Sequence, residues 1–227
     1  MDERQEKLLT LVIEHYVATA EPVGSKFLVD KGNLDWSEAT VRNELRALEE
    51  AGFLTHPHTS AGRIPTEQGY CYYIEKLDLA AAKATKAVEK KLEMALGTLS
   101  DYEQARKNLA KALVEVADQT VLIAFSPDKV YYTGLSNLFQ KPDFAEMNVV
   151  ADLSAVFDRC EEALEGFFPS VTDLHCFVGT KHPFGHLLSV FALRFGKNNE
   201  SLLLMLGPQR MDYYKNWGLM KKVKEII

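Results

Sequence analysis

A multidomain α+β fold is what this sequence predicts, and three observations carry it. Residues 1–76 show helix-periodic apolar spacing broken once by a Pro- and His-rich turn between two short extended stretches. From Leu79 to Asp118 the chain becomes rich in Ala, Lys, Glu and Leu, which favours helix. Beyond residue 118 it changes to short aliphatic and aromatic runs separated by turn residues, the pattern of a sheet accompanied by a few helices.

The first helix opens on Asp2-Glu3-Arg4-Gln5, a capping box with Asp2 as cap and Gln5 reaching back. Leu8, Leu9, Val12, Ile13, Tyr16 and Val17 then recur on one face, and Pro22 closes the helix by disfavouring αR at the residue before it. Gly24-Ser25 starts a short second helix, SKFLVD, which Lys31-Gly32-Asn33 ends. Asp35 or Ser37 caps the third, whose Val41, Leu45 and Leu48 repeat at i, i+4, i+7 until Gly52, a C′ glycine. Phe53-Leu54-Thr55 reads as a strand, HPHTSAGR (56–63) as a turn too long for a tight hairpin, and Ile64 as the start of the return strand. Thr66 caps a fourth helix reaching Lys76. Two short helices joined by a glycine turn and followed by a ribbon make up the winged form of helix-turn-helix, here residues 1–76.

Residues 77–118 read as a helical linker. Gly97 interrupts it and Ser100-Asp101-Tyr102-Glu103 is a fresh capping box, so two helices are expected. Val88, Leu92, Ala95, Leu99, Tyr102, Leu109, Leu113 and Val116 form a stripe that serves either as core against the next domain or as a dimer seam. In residues 119–227 the runs TVLIAF, VYYTGL, MNVVADL, DLHCFV, LLSVFALRF and SLLLML are strand-like. Gly196-Lys197-Asn198-Asn199 is a hairpin turn, while 153–167 and 211–227 look helical. The sheet is expected to be largely antiparallel.

Composition narrows the function classes. No apolar run is long enough to span a membrane, and MDERQEK lacks the hydrophobic core of a secretory signal, so cytoplasm is the expected location. Three Cys without framework spacing fit a reducing compartment. The formal net charge of −6 argues mildly against a nucleic-acid partner, and residues 1–76 hold eight basic against thirteen acidic side chains.

Particular residues argue the other way. With Val41, Leu45 and Leu48 inward, Ala39, Asn43 and Arg46 project from the opposite side of the third helix, flanked by Thr40 and Arg42. Arg can make paired hydrogen bonds to guanine O6/N7, and Asn to adenine N6/N7; Ala39 permits close approach or a thymine-methyl contact. Ser25, Lys26 and Ser37 lie at helix starts, where N–H groups favour phosphate. On the turn, His58, Thr59 and Ser60 can meet a backbone, and Arg63 is its one permanent cation, suited to a narrow minor groove. The bland alternatives are an amphipathic surface helix with solvated charges, and an Arg63 that pairs with an acid such as Glu67.

Catalysis and metal binding find little support. His56-x-His58 has no acid or Cys near it in sequence, and Pro183 and Gly185 break the helical spacing of His182 and His186. Cys160, His175 and Cys176 complete a second loose group. Neither G-x-S-x-G, a phosphate loop nor H-E-x-x-H occurs. No catalytic residue, cofactor or metal is expected.

Several stretches resemble one family. Glu21-Pro22-Val23-Gly24-Ser25-Lys26, Ser37-x-Ala39-Thr40-Val41-Arg42-Asn43-Glu44-Leu45, Leu48-Glu49-x-x-Gly52-Phe53-Leu54 and Pro57-His58-Thr59-Ser60-Ala61-Gly62-Arg63-Ile64-Pro65-Thr66-x-x-Gly69-Tyr70 are similar to the bacterial heat-inducible transcription repressors, HrcA. Thr133-Gly134-Leu135-Ser136-Asn137-Leu138 and Gly207-Pro208-x-Arg210-Met211-Asp212-Tyr213 extend the likeness. The resemblance implies a winged helix, a GAF-like domain over 119–227, and a homodimer that binds an inverted-repeat operator in double-stranded DNA and represses chaperone operons. It also implies the chaperonin GroEL as a partner. Members of the family carry extra strands and an inserted dimerisation domain ahead of Gly-Leu-Ser-Asn, whereas here Phe125-Ser126-Pro127-Asp128-Lys129 passes directly into Val130-Tyr131-Tyr132. The DNA contacts expected are Arg42, Asn43 and Arg46 at bases with Ala39 permitting close approach, Ser25, Lys26, Ser37 and Thr40 at the backbone, and His58, Thr59, Ser60 and Arg63 from the wing. A second reading stands beside this one: a small-molecule-sensing GAF-like module whose winged helix makes protein contacts, which a convergent polar pocket in 119–227 would favour.

Overall fold

The structure is a computed structural model that describes residues 1–32, 34–58, 61–97 and 101–227. Asn33, Thr59, Ser60, Leu99 and Ser100, to which the sequence reading assigned parts, lie outside the described residues. The chain divides into two units, Met1–Leu77 and Asp78–Ile227.

In the first unit α1 (Glu3–Thr19) starts in the capping box of Asp2 and Gln5, with Gln5 N–H donating to Asp2 Oδ1 at 2.8 Å. It stops at Thr19, ahead of Pro22, with Ala20 in the left-handed region at φ 60°. After α2 (Ser25–Lys31), Ser37 caps α3 (Glu38–Glu50) by accepting from Thr40 N–H at 3.1 Å. Gly52, at φ +82°, ends α3 as its spacing predicted: Phe53 N–H returns to the Leu48 carbonyl and Gly52 N–H to that of Glu49, a Schellman closure. β1 (Leu54–Thr55) and β2 (Ile64–Pro65) pair antiparallel, Leu54 with Pro65 and Thr55 with Ile64. Thr66 then caps α4 (Glu67–Lys76) and donates to the Gly52 carbonyl at 2.6 Å, fixing that helix to the stop of α3. Gly69 is needed there, because a Cβ would run into the Phe53 carbonyl oxygen. Leu8, Leu9, Val12, Ile13, Leu28, Val41, Leu45, Leu48, Leu54 and Tyr70 form the core, every one 3% exposed or less.

The second unit is α+β around one five-stranded, wholly antiparallel sheet. Its strands are β3 (Thr120–Ser126), β4 (Lys129–Thr133), β5 (His175–Val178), β6 (Leu188–Phe195) and β7 (Ser201–Pro208), in the order β4-β3-β7-β6-β5. Every residue of β7 is buried, which is why SLLLML reads as an unbroken apolar run: the sheet is covered on both faces. Leu122, Ala124, Val190, Leu202 and Leu204 point into one aromatic-rich core with Phe144, Phe157, Phe167 and Phe184. On the other side α5 (Lys86–Leu96), α6 (Tyr102–Ala117) and α10 (Tyr213–Ile226) pack, with Phe191 against Tyr213 and Trp217.

Two expectations change here. The 77–118 segment contributes cover helices to the second unit, and Leu92, Leu109 and Leu113 are fully buried within this chain. Those three members of the stripe are core, in line with the first of its two readings, whereas Tyr102 is 41% exposed. The cap of α6 is Asp101, accepting from Gln104 N–H at 3.0 Å. MNVVADL is not a strand but the start of α8 (Met147–Asp158), which is followed by α9 (Cys160–Phe167). Leu153, Phe157, Cys160, Leu164 and Phe167 bury one continuous helical stripe, and that tertiary packing overrides the β preference of Val149 and Val150. The third member of this layer, α7 (Leu135–Phe139), was not foreseen; it starts at Gly134, φ +85°, right after β4. Between β3 and β4, Ser126 pairs with Lys129 around Pro127-Asp128, and the Ser126 hydroxyl donating to Asp128 holds that carboxyl below its ordinary range.

Candidate nucleic-acid interface

Burial of Val41, Leu45 and Leu48 leaves the other side of α3 to solvent, where Ala39, Arg42, Asn43 and Arg46 are all exposed. Arg42 and Arg46 are 69% and 76% exposed, and each holds a carboxylate one turn away: Arg42 to Glu38 at 2.5 Å, Arg46 to Glu50 at 2.9 Å. Glu38 also accepts from the Ser25 hydroxyl at 3.1 Å, tying the start of α2 to the first turn of α3. The Thr40 and Ser37 hydroxyls lie 2.9 Å apart at the cap, and Lys26 is exposed on α2.

The turn between β1 and β2 is seated differently. Arg63 N–H donates to the Val23 carbonyl and Val23 N–H to that of Arg63, both at 2.8 Å, so the return strand also bridges the segment before α2. Gly62 permits that approach: a Cβ there would meet the Val23 carbonyl carbon at 2.6 Å. Arg63 is only 24% exposed, and its Nη2 meets Glu49 Oε2 at 2.7 Å, while Glu49 Oε1 meets His56 Nδ1. Its partner is therefore Glu49 rather than Glu67, and its Nε is buried without a hydrogen bond. His58 is exposed on the turn. Ser25, Arg42 and Arg63 come together around a cavity of about 250 Å³, whose floor includes Gly24, Leu45 and Gly62.

Chemically, this surface offers hydroxyls, an amide and guanidinium groups. The two α3 pairs are exposed, so trading either carboxylate for a phosphate or a base edge costs little. Arg63 is sunk and doubly held. The α3 pairings were legible as i,i+4 spacings. Glu49 was missed as a partner of the turn, and nothing in the sequence marks a contact that spans fourteen residues through a ribbon.

Elsewhere the residues that carried the family resemblance are architectural. A Cβ on Gly134 would lie 2.8 Å from Val114 Cγ1, and its carbonyl accepts from Thr120 Oγ1. Arg210 makes a forked pair with Asp143, and Asp212 caps α10. Tyr213 is buried, donating to the Gln209 carbonyl and lying 2.8 Å from Ser189 Oγ. His182 is buried too: its Nδ1 accepts from Phe184 N–H, which leaves Nε2 to donate to the Leu188 carbonyl at 3.0 Å. Among the described residues, no three His, Cys, Asp or Glu side chains cluster as metal ligands. No helix among them is long and apolar enough to cross a membrane.

Comparison with known proteins bears on the whole chain. The fold is similar to that of a crystal structure of a hypothetical protein, with a TM-score of 0.78 over 99% of this chain and 97% of that one, at 16% identity. The heat-inducible transcription repressor HrcA of Acetivibrio thermocellus is 38% identical over 130 residues, and that of Moorella thermoacetica 41% over 130; the match covers 57% of this chain in both. The repressor of Symbiobacterium thermophilum reaches 57% identity over 77 residues, 34% of this chain and 23% of its own. The match spans only 36% and 37% of the length of the first two relatives. The family model described as the HrcA protein C terminal domain matches residues 77–216, well over half of the sequence, and on that ground the chain belongs to the HrcA family.

Proposed function

We propose that the chain is a sequence-specific DNA-binding repressor of heat-shock and chaperone operons, not an enzyme, whose first unit is a winged helix-turn-helix and whose sheet unit is GAF-like. The exposed face of α3 carries this reading: Ala39, Arg42, Asn43 and Arg46 stand together opposite a buried stripe, beside a ribbon. In this reading α3 enters the major groove, where Arg42, Asn43 and Arg46 read base edges and Ala39 allows close approach. Ser25, Lys26, Ser37 and Thr40 hold the phosphate backbone, and His58, Thr59 and Ser60 meet it from the turn. Arg63 enters through the loop it anchors. The names of the relatives support the repressor role, and reading an inverted repeat requires a homodimer. The chaperonin GroEL as a partner rests on family resemblance.

Selection of duplexes from a random-sequence pool tests the proposal. The expected product is an inverted repeat, whose base pattern shifts when Asn43 or Arg46 becomes Ala. A pool that yields no common pattern would overturn it.

A further inference from the structure

We propose that Glu49 is a positioning residue of this interface, one that ties the base of the 56–63 turn to α3 so that helix and turn meet a duplex as one body. The inference rests on the reading of the first unit as DNA-binding. Glu49 stands in the last turn of α3, and its two carboxylate oxygens are divided between the two ends of the turn. Oε1 takes His56, one residue past β1, and Oε2 takes Arg63, one residue before β2, at 2.7 Å.

The two tethers close the turn at its root, and both run to the helix that carries Arg42, Asn43 and Arg46. The backbone bridge between Val23 and Arg63 does not duplicate this, because it holds only the return side of the ribbon. On the outgoing side His56 is held by Glu49. β1 and β2 are two residues each, too short to fix the direction of the turn by ladder hydrogen bonds alone.

Burial separates Glu49 from the two acids that pair with the exposed arginines of α3. It is 23% exposed, whereas Glu38 and Glu50 are 44% and 66% exposed beside arginines that are more exposed still. A half-buried carboxylate shared by two donors is costly to undo, while an exposed i,i+4 pair is not. An approaching duplex can therefore take Arg42 and Arg46 from their partners, but the Glu49 clamp stays closed and keeps the two ends of the turn on α3.

The test uses the full chain and duplexes that it selects from a random-sequence pool. Glu49→Gln should leave the selected base pattern unchanged, because the α3 face is intact, and lower affinity about tenfold. His58→Ala should weaken the otherwise wild-type chain but cost nothing further in the Glu49→Gln background, since a turn no longer aimed at the duplex has no contact to lose. A side chain that merely stabilised the unit would leave the His58 effect in place. Glu49→Gln with wild-type affinity and an undiminished His58 effect overturns the proposal. A wild-type chain that selects no pattern overturns instead the reading of the first unit. Should Glu49→Gln fail to fold by circular dichroism, His56→Gln decides. It cuts one tether at a side chain 34% exposed, and it must shrink the His58 effect in the same way or the proposal fails.

Discussion

Arg46→Ala separates base reading from ordinary surface charge. The Arg46 guanidinium is 76% exposed and its partner Glu50 66% exposed, so their ion pair contributes little. Its loss should change the unfolding free energy by less than about 1 kcal/mol, and Ala in place of Arg does not weaken the helix. On a duplex the same side chain would make two hydrogen bonds to a guanine edge, worth about 1–3 kcal/mol, or about 5- to 150-fold in affinity. Fluorescence anisotropy with the selected duplex and its single-base variants measures this, run beside a thermal melt of the same protein. The expected outcome is an unchanged melting temperature, weaker binding, and relaxed preference at one base position in each half-site. The slope of log K against log salt should stay at its wild-type value, because a base contact releases no counterion; flattening by about 0.9 would put Arg46 on a phosphate. If Arg46→Ala and Asn43→Ala both leave the base pattern unchanged, α3 is not the reading helix.

Arg63→Ala should destabilise the first unit by about 1–3 kcal/mol, since it leaves the half-buried Glu49 short of a partner, without changing the salt slope; urea melts and a salt series report the two effects separately. Gly134→Ala should cost the second unit about 1–3 kcal/mol or more in calorimetry, because φ is +85° and the new Cβ would press on Val114. Sedimentation should find a dimer, and a monomer both free and on DNA would refute the inverted-repeat reading. Of the three thiols, Cys160 should react last with a thiol reagent in the native protein, since it is 6% exposed and burial raises its pKa; equal rates for all three would contradict that packing.

How far the sequence could be read depended on whether a signal was local. The Asp2 box, the Thr66 cap, the Gly52 stop and the α3 stripe are each set by residues within one or two turns, and each stands where its spacing put it, while of the two caps open to α3 it is Ser37 that serves. MNVVADL misled because two adjacent Val suggest a strand, whereas the stripe that decides runs on through Leu153, Phe157 and Leu164, beyond the window of the run. The role of 77–118 was ambiguous because a buried stripe looks the same whether its partner is the same chain or another copy. Thr59 and Ser60 lie outside the described residues, so the tip of the turn stands on its sequence alone.

Charge is where local and bulk readings part most clearly. Thirteen acids against eight bases in residues 1–76 weigh against a polyanionic partner, yet among the described residues at least five of those acids hold a cationic side chain rather than standing as free charge. Glu6 takes Lys76 and Tyr72, Glu44 takes Arg4 and Gln5, and Glu38, Glu49 and Glu50 hold the arginines of the candidate interface. A duplex meeting α3 would draw Arg42 and Arg46 off carboxylates instead of off water. Breaking either pair costs little, but it leaves a Glu beside the phosphates, and that repulsion offsets part of what sequence-independent binding gains from these cations. A base edge that fits the guanidinium adds paired hydrogen bonds that a bare phosphate contact in the wrong register does not. On the DNA-binding reading proposed above, an acidic surface of this kind would trade general affinity for discrimination, and Glu50→Gln is where that trade can be measured: it should strengthen binding to random-sequence duplex more than to the selected one. Equal strengthening on both would mean that the Arg46–Glu50 pair has no part in selectivity.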